Sequence, residues 1–214
     1  MLSAIRRYKR MAKIPLIILV VVLSFGLVGS YIFVQPLPKV NQETQTQDNT
    51  AVNTEEAIKN LQANINEYEK QYKANPKNSD TIIALGNSQY NLASYYFTLE
   101  KYQDGEKFFK DAVATYQKAI KMQPKNVNVM VDLATAALYS KQYAIAEKYY
   151  QKAIALDPKF LKARMNYGIY LKIVRNDVKG AKEQWQAALK TNPNAEVANV
   201  FKELINNAEQ DNKK

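Results

Sequence analysis

Acid–base chemistry in this chain would have to rest on paired carboxylates, for example Asp104 with Glu106. Histidine, the commonest general base and metal ligand, is absent. Cysteine is absent as well, which excludes a disulfide framework, a thiolate metal site and a thiol nucleophile. There is no nucleophile–base pair and no glycine-rich phosphate loop. Asp104 and Glu106 therefore read as solvated surface charges. No enzyme activity, metal or cofactor is expected, and the chemistry within reach is that of binding.

The net charge of +10 is unevenly placed. Arg6, Arg7, Lys9, Arg10 and Lys13 lie in the first thirteen residues with no acid among them. A nucleic-acid surface would need a dense basic stripe. This cluster instead abuts an uncharged run from Ile14 to Val34, so it reads as a topology signal and no nucleic-acid partner is expected. Twenty-one helical residues span about 31 Å, close to the hydrocarbon thickness of a bilayer. Val28-Gly29-Ser30 resembles a weak signal-peptidase site, but Tyr31 to Val34 continue the apolar run, which suits an uncleaved anchor. The positive-inside rule places segment 1–13 in the cytoplasm and the remainder outside, with 14–34 as a single transmembrane helix. Residues 35–53 open with Pro36 and Pro38 and are then rich in Gln, Asn and Thr. They are expected to form a flexible linker, which reaches about 25 Å.

Beyond the linker about 160 residues remain, enough for one domain with a continuous core. They repeat themselves. Pro124, Pro158 and Pro193 each close an alanine-rich amphipathic segment, at spacings of 34 and 35 residues, and Pro76 closes a similar one upstream. The run 119–126 matches 153–160, and 188–194 follows the same plan. Amphipathic periodicity and prolines predict helices over 54–74, 79–98, 102–122, 127–140, 143–156, 160–174, 178–191 and 195–208.

This pattern resembles the tetratricopeptide repeat. The signature positions are held by Leu85, Gly86, Ala112, Tyr116, Ala119 and Pro124 in the first copy. In the second they are Met130, Leu133, Ala134, Ala137, Tyr143, Ala146, Tyr150, Ala153 and Pro158. In the third they are Tyr167, Gly168, Ala181, Trp185, Ala188 and Pro193. The resemblance implies an all-α solenoid of helix-turn-helix repeats over 54–210. Its parts would be a lone helix at 54–76, repeats at 79–126, 127–160 and 161–194, and a capping helix at 195–210. Small residues at Gly86, Ala134 and Gly168 would let the two helices of a repeat approach. Val197, Val200, Phe201, Leu204 and Ile205 would form the apolar face of the last helix. Between Leu92 and Phe109 the first repeat has about fourteen residues too many, or about two turns per helix. Tyr95, Tyr96, Phe97, Tyr102 and Phe108 lie there and are expected to pack across their own hairpin.

The resemblance also implies a ligand groove lined by the first helix of each repeat. Its positions carry over to Ile83, Asn87, Tyr90 and Asn91, then Asn128, Val131, Thr135, Leu138 and Tyr139, then Lys162, Met165, Ile169, Lys172 and Ile173. Asparagine amides both donate and accept, as peptide backbone does. Relatives that bind chaperones grip a terminal carboxylate with paired Lys, Asn and Arg. Asn87, Lys162 and Asn166 echo that set, but the second repeat offers Val131 and Thr135 and no cation. The expected ligand is therefore an extended or helical protein segment with apolar anchors, not a small molecule. The expected function is a membrane-anchored scaffold or assembly factor at the outer face of a bacterial cytoplasmic membrane. A homo-oligomer joined through hairpin 92–109 or the transmembrane helix is the alternative.

Overall fold

The computed structural model describes residues 48–211, with side chains described for 55–210. The predicted segments 1–13 and 14–34, and residues 35–47 of the predicted linker, lie outside the described residues. Among the described residues no helix is long and apolar enough to cross a membrane.

Among the described residues eight α-helices follow one another: α1 (Asp48–Ala74), α2 (Ser79–Thr98), α3 (Tyr102–Met122), α4 (Val127–Tyr139), α5 (Tyr143–Leu156), α6 (Leu161–Tyr170), α7 (Val178–Leu189) and α8 (Ala195–Asp211). A π turn, Leu171–Arg175, continues α6. Each helix packs on the next in the chain, and buried side chains from α2 to α8 form one continuous cluster.

The sequence places the helix starts chemically. Asn78, two residues after Pro76, accepts from the backbone N–H groups of Asp80 and Thr81 at 3.0 and 3.1 Å. Asn126, two residues after Pro124, accepts from Val129 N–H at 3.1 Å. Asp177 and Asn194 cap α7 and α8 in the same way, through Gly180 and Val197. These oxygens satisfy donors that the first helical turn leaves without partners. In the third repeat the position after Pro158-Lys159 is Phe160, which makes no side-chain cap.

The turns inside repeats one and two share a different device. Glu100 and Lys141 adopt left-handed backbone conformations, with φ of 58° and 62°. Lys101 N–H then donates to the Tyr96 carbonyl at 2.9 Å, and Gln142 N–H to the Ala137 carbonyl at 2.7 Å. This is the Schellman closure, made here without the glycine that usually permits it. The third repeat differs. Gly168 and Ala181 are one residue further apart than Ala134 and Ala146. The π turn takes up that extra residue, and Asp177 N–H donates to the Leu171 carbonyl, six residues back. The 35-residue proline spacing thus has a local cause, and the predicted helix 160–174 stops being α-helical at Tyr170.

Two further boundaries differ from the sequence reading. The first helix starts at Asp48, inside the predicted linker, and ends at Ala74 before Pro76. Residues 48–53 hold no Pro or Gly, so a helix nucleated by packing further along can extend through them. Ile58, Leu61, Ile65, Tyr68 and Tyr72 form its apolar stripe, and the first four pack with Leu85, Leu92, Tyr96 and Phe108. At the other end α7 closes at Leu189, where Asn192 takes a left-handed conformation before Pro193. Phe201 and Ala208 of α8 are fully buried, with the predicted Val197, Val200, Leu204 and Ile205 packed around them.

Candidate partner-binding groove

The candidate groove depends on how closely the two helices of each repeat approach. A methyl group on Gly86 would meet Tyr116 Cε1 at 2.7 Å, and one on Gly168 would meet Trp185 Nε1 at 2.2 Å. Both glycines therefore let an aromatic ring of the second helix press on the first. In the lengthened hairpin the roles are exchanged: Gly105 of the second helix admits the Phe97 ring of the first, and a Cβ there would lie 2.3 Å from Phe97 Cδ2. Sequence reasoning did not single out Gly105, because it falls inside the extra residues that the repeat pattern does not register.

These close rings orient groove side chains. The Tyr116 hydroxyl donates to Asn87 Oδ1 at 2.8 Å. That fixes the amide so that its NH2 group remains the donor face of an exposed side chain. One repeat along, the Tyr150 hydroxyl and Thr135 Oγ1 lie 3.0 Å apart. Thr135 gives its proton to the Val131 carbonyl and also receives an N–H from Asn166 at 3.1 Å. Its one donor is used, so the tyrosine donates to it and both lone pairs are filled. Asn166 Oδ1 is left as a buried acceptor with no partner among the described residues. In the third repeat Trp185 Nε1 donates instead to the Met165 carbonyl at 3.2 Å.

The predicted groove residues separate into two layers. Asn87, Asn91 and Asn128 are exposed, and Ile83, Tyr90, Tyr139, Lys162, Lys172 and Ile173 are half-buried. Val131, Thr135, Leu138, Met165 and Ile169 are buried. The buried group fills the space between neighbouring helices, and the Thr135–Asn166 bond ties α4 to α6 there. Lys172 and Ile173 stand in the π turn, so their register differs from that of the matching residues in α2 and α4.

Charge on this face is compensated internally. Lys162 forms an ion pair with Asp132 at 2.7 Å, joining the second repeat to the third. Asp132 was missing from the sequence reading. It lies on the groove helix, and only its pairing with Lys162, thirty residues away, reveals its role. Around it burial raises the hydroxyl pKa of Tyr90, Tyr116 and Tyr150, and the negative charge of Asp132 adds to the shift. These hydroxyls stay neutral throughout the physiological range.

The lengthened hairpin flanks the groove. Helices α2 and α3 have 20 and 21 residues, against 13 and 14 in α4 and α5. Tyr96 stacks on Phe108 at 5.5 Å, and Phe97 meets Tyr102 edge-on at 5.4 Å, so the predicted packing across the hairpin is present. The cluster also reaches the next repeat, where Tyr139 stacks on Phe109 at 5.0 Å and meets Phe97 at 5.5 Å. Glu106 bridges Lys110 and Lys141, and the bonds to Lys141 and then Lys110 hold its carboxyl below the usual range. That carboxylate is a link to the α4–α5 turn. Asp104 is exposed, two residues before Glu106 on α3.

Comparison with known proteins bears on the fold. A family model described as tetratricopeptide repeat matches residues 84–159. No curated protein sequence matches the chain. Among solved structures, the MamA protein superposes with a TM-score of 0.53 at 19% identity, covering 74% of this chain and 82% of that one. The Sgt2 TPR domain from Aspergillus fumigatus gives 0.45 at 20% identity over 60% of this chain and 79% of its own. The first TPR domain of Spaghetti (RPAP3), solved with the HSP90 peptide SRMEEVD, gives 0.44 at 22% identity over 60% and 94%. The described residues form an all-α, TPR-like solenoid, within which residues 84–159 match the tetratricopeptide-repeat family model.

Proposed function

We propose that this chain is a membrane-anchored interaction scaffold, which holds a protein or peptide segment against α2, α4 and α6 at the outer face of a bacterial cytoplasmic membrane. The match to the tetratricopeptide-repeat model over 84–159 supports a protein partner, since this repeat serves protein interaction. The observation that carries the groove reading is Asn87. A buried tyrosine holds its oxygen, and its amide protons are presented at an exposed position. Asn91, one turn further along α2, and Asn128, at the start of α4, add exposed amides on the same face, with Tyr90 and Ile83 as apolar anchors. Lys162 is already neutralised by Asp132, so a terminal carboxylate gains less there than at an unpaired lysine. An extended segment bound through its backbone and apolar side chains fits this face better. Residues 14–34 supply the anchor and Arg6 to Lys13 the topology signal in this reading.

Photocrosslinking probes at Asn87, Asn91 and Asn128 in cells test it. One abundant protein captured from all three positions is the expected result. Capture only from probes on the outward faces of α3, α5 or α7 would refute groove binding. Homo-oligomerisation through the 92–109 hairpin is the second reading, supported by Tyr95 and Tyr102 being exposed there. Light scattering on the 54–214 fragment, with and without Tyr95→Ser and Tyr102→Ser, separates the two.

A further inference from the structure

Few large apolar side chains are exposed among the described residues. They are Tyr95, Leu99, Tyr102, Met122 and Leu156. Three of the five lie at one place, the tip of the α2–α3 hairpin, with the charged Glu100 and Lys101 between them. Met122 and Leu156 end their helices at the opposite pole, in different repeats. The tip also projects beyond the α4–α5 turn at the same pole, since each of its helices exceeds its counterpart in the next repeat by about 10 Å.

Helix α1 shows which pole faces the anchor. It runs antiparallel to α2, because a short connection, residues 75–78, joins them. Ile58 and Leu61, in its first half, pack in the cluster that contains Leu92 and Tyr96, towards the end of α2. The chain therefore enters the domain at the hairpin-tip pole. Thirteen residues separate Val34 from Asp48, and covalent geometry limits their span to about 45 Å. The opposite pole lies a further helix length away, about 40 Å.

From this placement we infer that the α2–α3 tip is a second membrane contact, with Tyr95, Leu99 and Tyr102 resting in the interfacial layer of the bilayer that holds the anchor. Tyrosine suits that layer because its ring is apolar and its hydroxyl can stay in water. Lys101 can extend its ammonium to the headgroups while its stem covers apolar surface. The tip and the anchor together would fix the orientation of the domain, so that the helix-A face stands at a set angle to the membrane. This inference rests on the proposal that residues 14–34 span the bilayer.

The chain has no cysteine, so single labels are straightforward. The full chain carrying Leu99→Cys or Leu156→Cys is labelled with bimane. It is then reconstituted in vesicles of phosphatidylethanolamine and phosphatidylglycerol containing acyl-brominated lipid. Flotation is read first, then quenching. The expected result is that the chain floats, the label at 99 loses most of its emission and the label at 156 keeps its emission. Flotation without quenching at 99 overturns the tip contact and leaves the anchor standing. A chain that does not float overturns both. Loss of quenching as protein concentration rises, with disulfide capture between two Leu99→Cys chains, assigns the tip to a second copy and also overturns the inference. Leu99→Ser with Tyr102→Ser in the Tyr95→Cys background, labelled at 95, checks the cause; its quenching falls if these side chains hold the tip in lipid and is unchanged if they do not.

Discussion

Gly168→Ala isolates the closest helix–helix approach in the third repeat. The added Cβ would lie 2.2 Å from Trp185 Nε1 and 2.6 Å from Cε2, well inside contact distance. Trp185 is only 1% exposed, and its N–H is bonded to the Met165 carbonyl. The ring cannot retreat without losing that bond. Overpacking of this kind costs about 1–3 kcal/mol, and the broken hydrogen bond adds about 1 kcal/mol. Alanine returns about 1 kcal/mol through its helix propensity. The net loss is about 2 kcal/mol, which for a domain of this size lowers Tm by about 4–8 °C. Trp185 is the only tryptophan in the chain, so its emission reports the site directly while circular dichroism follows the fold. Adding Trp185→Tyr recreates the second repeat, where Ala134 and Tyr150 occupy the equivalent positions. The double variant should recover at least about 1 kcal/mol relative to the sum of the single changes. A Gly168→Ala protein as stable as the parent, with unchanged emission, would refute the close-approach argument.

Further outcomes follow from the same geometry. Burial raises the pKa of Tyr90, Tyr116, Tyr139 and Tyr150 above 10, and Tyr170, raised by burial and by Glu147, reaches about 12. The unfolded chain releases these protons first, near pH 10, so stability is intact below that pH and falls above it by about 1.4 kcal/mol per unit for each tyrosine. A circular-dichroism base titration should show a steep transition between about pH 10 and 12, and a flat profile would contradict the burial. Tyr139→Phe removes a hydroxyl that has no partner, so stability at neutral pH should be unchanged or up to about 1 kcal/mol higher, and the base transition shallower. Asn126→Ala deletes the cap on Val129 and should cost about 1 kcal/mol in urea unfolding. Glu100→Gly relieves a left-handed residue at a helix end and should stabilise by about 1 kcal/mol; a lower Tm would argue against that conformation.

Period and punctuation in the sequence carried most of the fold. The prolines and the small residues at 86, 134 and 168 were enough to place α2, α3 and α5 at their observed limits, because those features act locally. The π turn was not legible. One extra residue between Gly168 and Ala181 is visible, but several backbone solutions could absorb it, and only packing chooses among them. The groove was half legible. Repeat offsets identify which residues share the helix-A face, but not how deeply each one sits. Thr135 and Met165 lie deep because α4 and α6 close on each other through Asn166, a contact between residues 31 positions apart. Asp132 escaped notice for a similar reason, since its partner Lys162 belongs to another repeat.

The length of the α2–α3 hairpin has a consequence for how this architecture can vary. Helices α2, α4 and α6 all begin seven residues before their small residue at 86, 134 or 168. The surplus in repeat one therefore sits entirely at the turn end of the hairpin. Each of its helices is longer than its counterpart by seven residues, and seven residues return a helix to within about 20° of its starting orientation. Lengthening both helices of the hairpin by the same heptad therefore leaves the groove positions of the first repeat facing as before. Reach can be adjusted independently of recognition, in steps of one heptad per helix. A hairpin shortened by residues 92–98 and 102–108 should keep the helical pairs but lose, with its projection, the packing of Leu92, Tyr96 and Phe108 on α1 and the contact of Phe97 with Tyr139.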